Sequence, residues 1–325
     1  MKIPYVDVAT GLLGSQYPLP LDQPFTRAQA LSAGISAREL SELVSQALVV
    51  RPLRGVYVAS QTPDTPLLRA RALRLVVPEG FVVTDRTAGW LHGAPRILAP
   101  NDHLAVPRVS MVSAKEGNRL RNKLTNSGER AFGPMDLTVV HGIVVSTPLR
   151  TALDLGRLLH RDQAFAALDS LLRLGAFRWE ELLENVERFK GYRGVVQLRA
   201  LAPLADGRAE SPGESVLRLR WLELSSMPVP QLQVPAPGPD GTYWLDLGVE
   251  ASRFAAEYDG AEYHQSPEQE KHDERRRDHL RRIEGWTICV VRKANLFGQN
   301  QDVARLLKSG YRAALAALPS LGWSE

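Results

Sequence analysis

The chain has 325 residues, 44% hydrophobic and 23% charged, with a formal net charge of +4 and a pI of about 9.3, which leaves room for two or three domains with real cores and permits DNA binding without demanding it. A single cysteine, Cys289, excludes an internal disulfide and a cysteine-clustered metal site. No apolar run approaches the ~18 residues of a membrane span, and the first residues carry a proline and an acid where a secretory signal needs an apolar stretch, so a soluble, cytoplasmic protein is expected.

From the N-terminus, Phe25-Thr26 opens a short predicted helix to about Ala33, with Gly34 as its stop. Ser36 caps a second helix, Ala37 to about Leu48, and Glu39 completes a capping box. Two short helices joined at a glycine, the second amphipathic, fit a helix-turn-helix. Val49 to Val58 reads as two short strands around Arg51, Arg54 and Gly55, a wing with basic character. Arg38 on the second helix, with Arg51 and Arg54 on the wing, are the candidate DNA contacts, because phosphate charge dominates nucleic-acid affinity. A small packing module without DNA contact is the alternative.

This segment resembles the N-terminal domain of the AbiEi-type antitoxins, which pairs such a winged helix with a Gly-Val-Tyr wing end like Gly55-Val56-Tyr57. Ala88 to Pro95 and Ser146 to Leu155 look like segments of the same multidomain bacterial proteins, so the resemblance spans roughly residues 22 to 160. It implies DNA as a partner, and a protein partner under the antitoxin-like reading; a homodimer is open.

In the middle, residues 66–92 read as a helix from Pro66 to about Val77, a strand Phe81–Thr84 and a second helix. Strands near Asp102–Val106 and Leu137–Val145 follow. The Lys/Arg/Asn-rich stretch between them, Lys115 to Arg130, reads as a solvated loop or hairpin. Helices from Pro148 to about Arg199 carry leucine and alanine at helical spacing. His92, His103, His141 and His160 fall in different elements without ligand spacing and imply no metal. An Ala/Gly/Pro-rich stretch near Leu204–Ser211 reads as a linker, giving domains at 1–65, 66–203 and 204–325. There is no Walker loop, dinucleotide fingerprint or internal repeat.

Ser211-Pro-Gly-Glu214 opens another helix, with Leu217, Trp221 and Leu224 at helical spacing. Tyr243–Glu250 and Arg253–Gly260 read as a hairpin with Ala251-Ser252 as a two-residue loop, the commonest length. Pairing would then run Glu250 with Arg253, Gly248 with Ala255, and Asp246 directly across from Glu257. Alternation puts Glu257 and Asp259 on one face and Phe254, Ala256 and Tyr258 on the other. Like charges directly opposite cost roughly 3 kcal/mol per pair at ~5 Å and an effective dielectric of ~20. A hard divalent cation with oxygen ligands would relieve that repulsion; so would solvation or the arginines downstream. A charged helix follows from Pro267 to about Ile283, with Asp273, Arg276, Arg277 and Leu280 on or near one face. Gly285-Trp286 and a strand Thr287–Arg292 end the set, with Cys289 in that strand as an inert buried thiol.

Ser211-Pro212-Gly213-Glu214, Gln231, Asp246, Glu257-Tyr258-Asp259-Gly260, His264, Asp273, Arg276/Arg277 and Gly285-Trp286 stand in a telling order. Over roughly residues 208 to 300 they resemble the restriction-endonuclease-like nucleases, and more narrowly the branch similar to very-short-patch-repair endonucleases. That resemblance implies a central mixed sheet flanked by helices and a Mg²⁺- or Mn²⁺-dependent endodeoxyribonuclease. Asp246 and Glu257 would hold the metal, with Glu214 a further outer ligand. Asp259 would be a ligand or orient the water, and His264 would serve as general base or acid. Asp259 stands where the broader superfamily keeps a catalytic lysine, which leaves Lys271, His264 or an arginine of the next helix to stabilise the phosphate. Lys271, Arg276 and Arg277 are the nucleic-acid contacts expected here. The bland readings make Glu214 a first-turn acid paired with Arg218, and His264 a structural hydrogen-bonder.

The expected fold class is α/β, α+β overall: an N-terminal winged helix-turn-helix, a mixed middle region and a C-terminal restriction-endonuclease-like domain. Two functions follow. One is a metal-dependent DNA endonuclease docked by its winged helix. The other is a DNA-binding, antitoxin-like regulator whose nuclease fold is inactive, with an arginine filling the metal position.

Overall fold

The computed structural model describes residues 5–7, 10–94, 97, 107–113, 120, 122, 125–239, 241–260, 267–298 and 301–318. It is a mixed α/β structure with three sheets among the described residues. The chain forms two compact units: residues 1–155 with 176–182, and residues 156–175 with 183–325. Among the described residues no helix is long and apolar enough to cross a membrane.

The first unit opens with two consecutive capping boxes. Thr26 with Gln29 and Ser36 with Glu39 satisfy each other's backbone donors and set helices α1 (Arg27–Ser32) and α2 (Ala37–Ser45). Gly34, at φ 89, turns the chain between them. Phe25–Thr26 is strand β1 rather than a first helical turn. It pairs with β3 (Val56–Ala59), which also pairs with β2 (Val49–Leu53), in the order β1-β3-β2. Phe25 is drawn into this sheet by the Tyr57 ring, on which it stacks at 5.7 Å.

The same unit continues with α3 (Pro66–Arg74), β4 (Phe81–Val83), α4 (Asp85–Leu91), β5 (Val109–Ser113), β6 (Thr125–Glu129), β7 (Leu137–Val140), β8 (Ile143–Ser146) and the start of α5 (Pro148–Leu158). The five strands run β6-β5-β4-β8-β7, with β4 parallel to β8 and β5 parallel to β6. Residues 125–129 are therefore a sheet strand, not the solvated loop or hairpin expected of Lys115–Arg130. Their sequence, Thr-Asn-Ser-Gly-Glu, lacks strand propensity, and pairing with β5 overrides it. The strand expected near Asp102–Val106 lies outside the described residues.

Ion pairs lie inside this unit. Arg130 bridges Asp85 at 2.8 Å and Asp154 at 2.9 Å, and Arg150 bridges Asp154 at 2.8 Å and Asp136. Asp154 and Asp136 are almost wholly buried, which is tolerable only because each is paired.

Beyond α5 come α6 (Arg161–Leu172), α7 (Trp179–Val186), α8 (Val195–Leu201) and α9 (Pro212–Leu222). In the second unit Asp169 on α6 accepts two hydrogen bonds from Arg218 on α9 at 2.8 Å, and the guanidinium sits 4.6 Å from the Phe165 ring. The Leu204–Ser211 stretch is not the loose linker its composition suggests. Ala205 and Ala209 are buried, the Leu204 carbonyl accepts from Arg218, and the Asp206 N–H donates to Asp169. Small residues here allow close packing, which composition cannot tell from flexibility.

A four-stranded sheet follows: β9 (Gln231–Gly238), β10 (Gly241–Val249), β11 (Phe254–Asp259) and β12 (Thr287–Arg292), in the order β12-β11-β10-β9. Helix α10 (Pro267–Arg282) joins β11 to the parallel β12, and α11 (Lys293–Leu296) and α12 (Val303–Ala317) complete the unit. Phe254 and Ala256 pack with Leu217, Trp221 and Leu307, while Ala255 packs with Leu280 and Trp286. The start of α9 runs against the Tyr258 ring, where a Cβ on Gly213 would fall 2.0 Å from Cε1. Gly213→Ala is expected to cost about 1–3 kcal/mol, read as a lower melting temperature; an unchanged melting temperature would mean that the ring swings freely aside.

Candidate functional site

The β10–β11 hairpin keeps the expected register over three pairs, but it stops short of the expected Asp246–Glu257 pair and has a different loop. Gly248 faces Ala255 and Leu247 faces Ala256, and pairing closes at Val249 with Phe254. The expected Glu250–Arg253 pair is replaced by a 3-10 turn at Glu250–Ser252, ended by Arg253 in the left-handed conformation at φ 49. A two-residue hairpin loop wants glycine or asparagine at positive φ, and Ala251-Ser252 supplies neither.

Asp246 sits at a break in the sheet. The β9–β10 ladder runs through Leu245–Val234 and resumes at Leu247–Leu232, skipping Asp246 and Gln233, the latter at φ 51. Freed from the ladder, the Asp246 carboxylate accepts the Tyr258 backbone N–H at 2.8 Å. Glu214, in the first turn of α9, takes the Glu210 N–H at 2.8 Å and faces the Gln233 amide at 3.5 Å. Its expected partner Arg218 goes to Asp169 instead. Burial, then the neighbouring Glu214 and Glu257 carboxylates, push Asp246 up to about 7 against the pull of the Tyr258 N–H and Arg276. Burial raises Glu214 as well.

Glu257 is only 4% exposed, and α10 supplies its counter-charge. Arg276 Nη2 lies 2.8 Å from Glu257 Oε1 and donates to the Trp244 carbonyl at 2.6 Å. Arg277 Nε donates to Glu257 Oε2 at 3.3 Å, and its Nη2 is 4.0 Å from Asp259. Arg276 approaches Oε1 off the hydrogen-bonding direction, so this buried oxygen accepts no hydrogen bond. Among the described residues no three carboxylate, imidazole or thiol groups converge as a metal site. Lys271 is exposed on α10, and His264 lies outside the described residues. Burial, helped by Asp302, pushes the half-buried Cys289 thiol up to about 11, which leaves it inert.

Two residues near the carboxylates escaped sequence reasoning. Gln233, not the exposed Gln231, reaches Glu214, because the break at Asp246 turns it inward. Arg292 lies 3.8 Å from Asp259 as its register neighbour on the parallel β12. No sequence spacing reports a parallel register.

In the winged helix, Arg38 is 78% exposed and pairs with Glu42 at 3.0 Å, while the Glu39 carboxylate caps the Ser36 N–H. With two glutamates to one arginine, α2 carries net negative charge. The positive charge is on the wing: Arg51 is exposed with its guanidinium 5.1 Å from the Tyr57 ring, and the Arg54 backbone N–H donates to the Pro107 carbonyl at 2.9 Å.

Residues 22–60 match the family described as transcriptional regulator, AbiEi antitoxin. Residues 80–204 match the AbiEi antitoxin C-terminal domain. Two Mycobacterium tuberculosis proteins, Uncharacterized protein Rv2248 of strain H37Rv and Uncharacterized protein MT2308 of strain CDC 1551, are each 33% identical over 265 residues, covering 79% of this chain and 90% of theirs.

Proposed function

This chain belongs to one family with the Mycobacterium tuberculosis protein Rv2248 and carries AbiEi antitoxin-family domains at its N-terminus and middle, and on that premise we propose a DNA-binding transcriptional regulator that docks through its winged helix. The observation that supports this most is the match of residues 22–60 to a regulator family on a winged helix whose wing, not its helix, carries the positive charge. Arg51 and Arg54 meet phosphates. Arg38, braced by Glu42, and the exposed Ser41, Ser45 and Gln46 of the α2 face meet base edges.

Fluorescence anisotropy of the full chain with promoter fragments, across a salt series, tests this. Arg51→Ala and Arg54→Ala should each weaken binding about equally for all sequences and reduce the salt slope by about 1. Arg38→Ala should instead alter sequence preference. A chain that binds no DNA, or binds equally well with both wing arginines removed, would end this reading.

A second reading has one observation behind it, the buried Glu257 carboxylate beside Asp246 and Glu214, whose Oε1 is ion-paired with Arg276 but accepts no hydrogen bond. Those oxygens suit Mg²⁺ or Mn²⁺, and a metal-dependent endodeoxyribonuclease would be centred there, with Asp259 and His264 assisting. The donors fit a hard cation in kind but not in arrangement, because Glu257 is held by Arg276 and Arg277. The arginine-filled cluster is what an inactive nuclease fold would have. Incubation of plasmid and oligonucleotides with Mg²⁺ or Mn²⁺, beside an Asp246→Ala control, separates the two readings: cutting lost in the variant would favour the nuclease, and binding without cutting the regulator.

A further inference from the structure

Edge strands invite pairing with other chains, and most edges in this protein are guarded. Strand β1 has two residues; β2 carries Arg51 and Pro52; β9 carries Pro235 and Pro237; β12 ends in Arg292 and packs against α11 and α12; β6 is Thr-Asn-Ser-Gly-Glu. Strand β7 has no such guard. It reads Leu137-Thr-Val-Val140, and no carboxylate, lysine or arginine occurs from Leu137 through Thr147. Val139 is 63% exposed, Val144 directly across from it on β8 is 41% exposed, and Met135, in the turn before β7, is 85% exposed.

We propose that β7 pairs antiparallel with β7 of a second copy of this chain, on a two-fold axis at Val139. The β7–β8 hairpin turns through His141 and Gly142 at φ 46 and 80. The pair that closes such a two-residue loop, Val140 with Ile143, is a hydrogen-bonded one, and hydrogen-bonded pairs alternate along the ladder. Thr138 and Val140 therefore direct their backbone groups toward β8, and Val139 presents its N–H and C=O at the open edge. With the axis at Val139 the two copies exchange both bonds, as an isologous contact requires. The register also lines up Val144, Val139 and their two symmetry mates in one row on the exposed face. A two-fold axis sets each residue near its own mate, so any charge on this edge would repel its copy; with no carboxylate, lysine or arginine from Leu137 through Thr147, the edge meets that condition for pairing with itself. Four-residue strands cover less than the about 1,200 Å² of a standard interface, so the dimer is weak and concentration-dependent.

Sedimentation velocity of the full chain, over about two decades of concentration through the micromolar range, is expected to show the mass rising toward a dimer. Val139→Lys puts a cation on the axis against its own mate and should weaken association at least about tenfold, with an unchanged melting temperature. A second variant reads the axis directly. Val139→Cys in a Cys289→Ser background should be captured as a covalent dimer by a short bis-maleimide. A monomer at every concentration, a dimer indifferent to Val139→Lys, or no capture through residue 139 overturns the proposal.

Discussion

Asp246→Asn should stabilise the protein at about pH 8 and leave it nearly unchanged at about pH 4. Folded Asp246 keeps its proton up to about pH 7, because the site is buried and already holds Glu214 and Glu257. The unfolded carboxyl loses its proton near 3.8. The folded state therefore binds this proton more tightly, so the stability it confers is complete below pH 3.8 and is lost as pH rises through 7. The whole loss is on the order of 4 kcal/mol. Asparagine cannot ionise, and its amide oxygen can still accept the Tyr258 N–H, so the variant escapes the loss. Urea unfolding of both proteins across this range measures the difference directly, and a difference that does not change with pH would refute the assignment. The same comparison with added Mg²⁺ is informative. Stabilisation of the parent alone would mean that a cation displaces the arginines from the cluster, since a ligand stabilises whichever state binds it.

Arg150→Ala should destabilise the first unit by about 3–5 kcal/mol, the usual consequence of leaving buried charges uncompensated. Arg150 holds Asp136 and Asp154 together and donates to the Ala131 carbonyl. Asp154 would keep Arg130, but Asp136 is 1% exposed and would lose its guanidinium. Arg150→Lys should recover only part of the loss, because an ammonium cannot span both carboxylates as the guanidinium fork does. Thermal denaturation followed by circular dichroism is the measurement. A shift of less than about 1 kcal/mol in Arg150→Ala would show that water replaces the ion pairs at little cost.

What could be read from the sequence is what local chemistry dictates. Ser36 and Glu39 announce their helix because a capping box closes within one turn. The register Gly248–Ala255 follows from alternation, and Glu257 and Asp259 both face Arg277 as one-face acids should, but the pairing stops short of Asp246 and Glu257. The hairpin loop did not follow, because its conformation rests on Arg253 at positive φ, which arginine rarely announces. Helical spacing put Arg276 and Arg277 near one face of α10. It did not say whether that face meets solvent or Glu257, and the answer decides between a DNA surface and a neutralised cluster. The Asp85–Arg130–Asp154 chain joins residues 45 and 24 apart, and β6 owes its strand to a neighbour rather than to its composition. Such pairings are decided by the tertiary fold and leave no periodic trace.

The winged-helix sheet has one more consequence, in the order in which the protein comes into being. All its pairings close by Ala59, whereas β4 must wait for β8, with Val83 meeting Val145. A ribosome adds about 5–20 residues per second, so the nascent chain spends seconds with a finished winged helix and a half-built sheet. The winged helix ripens first, while β4 still lacks its parallel neighbour.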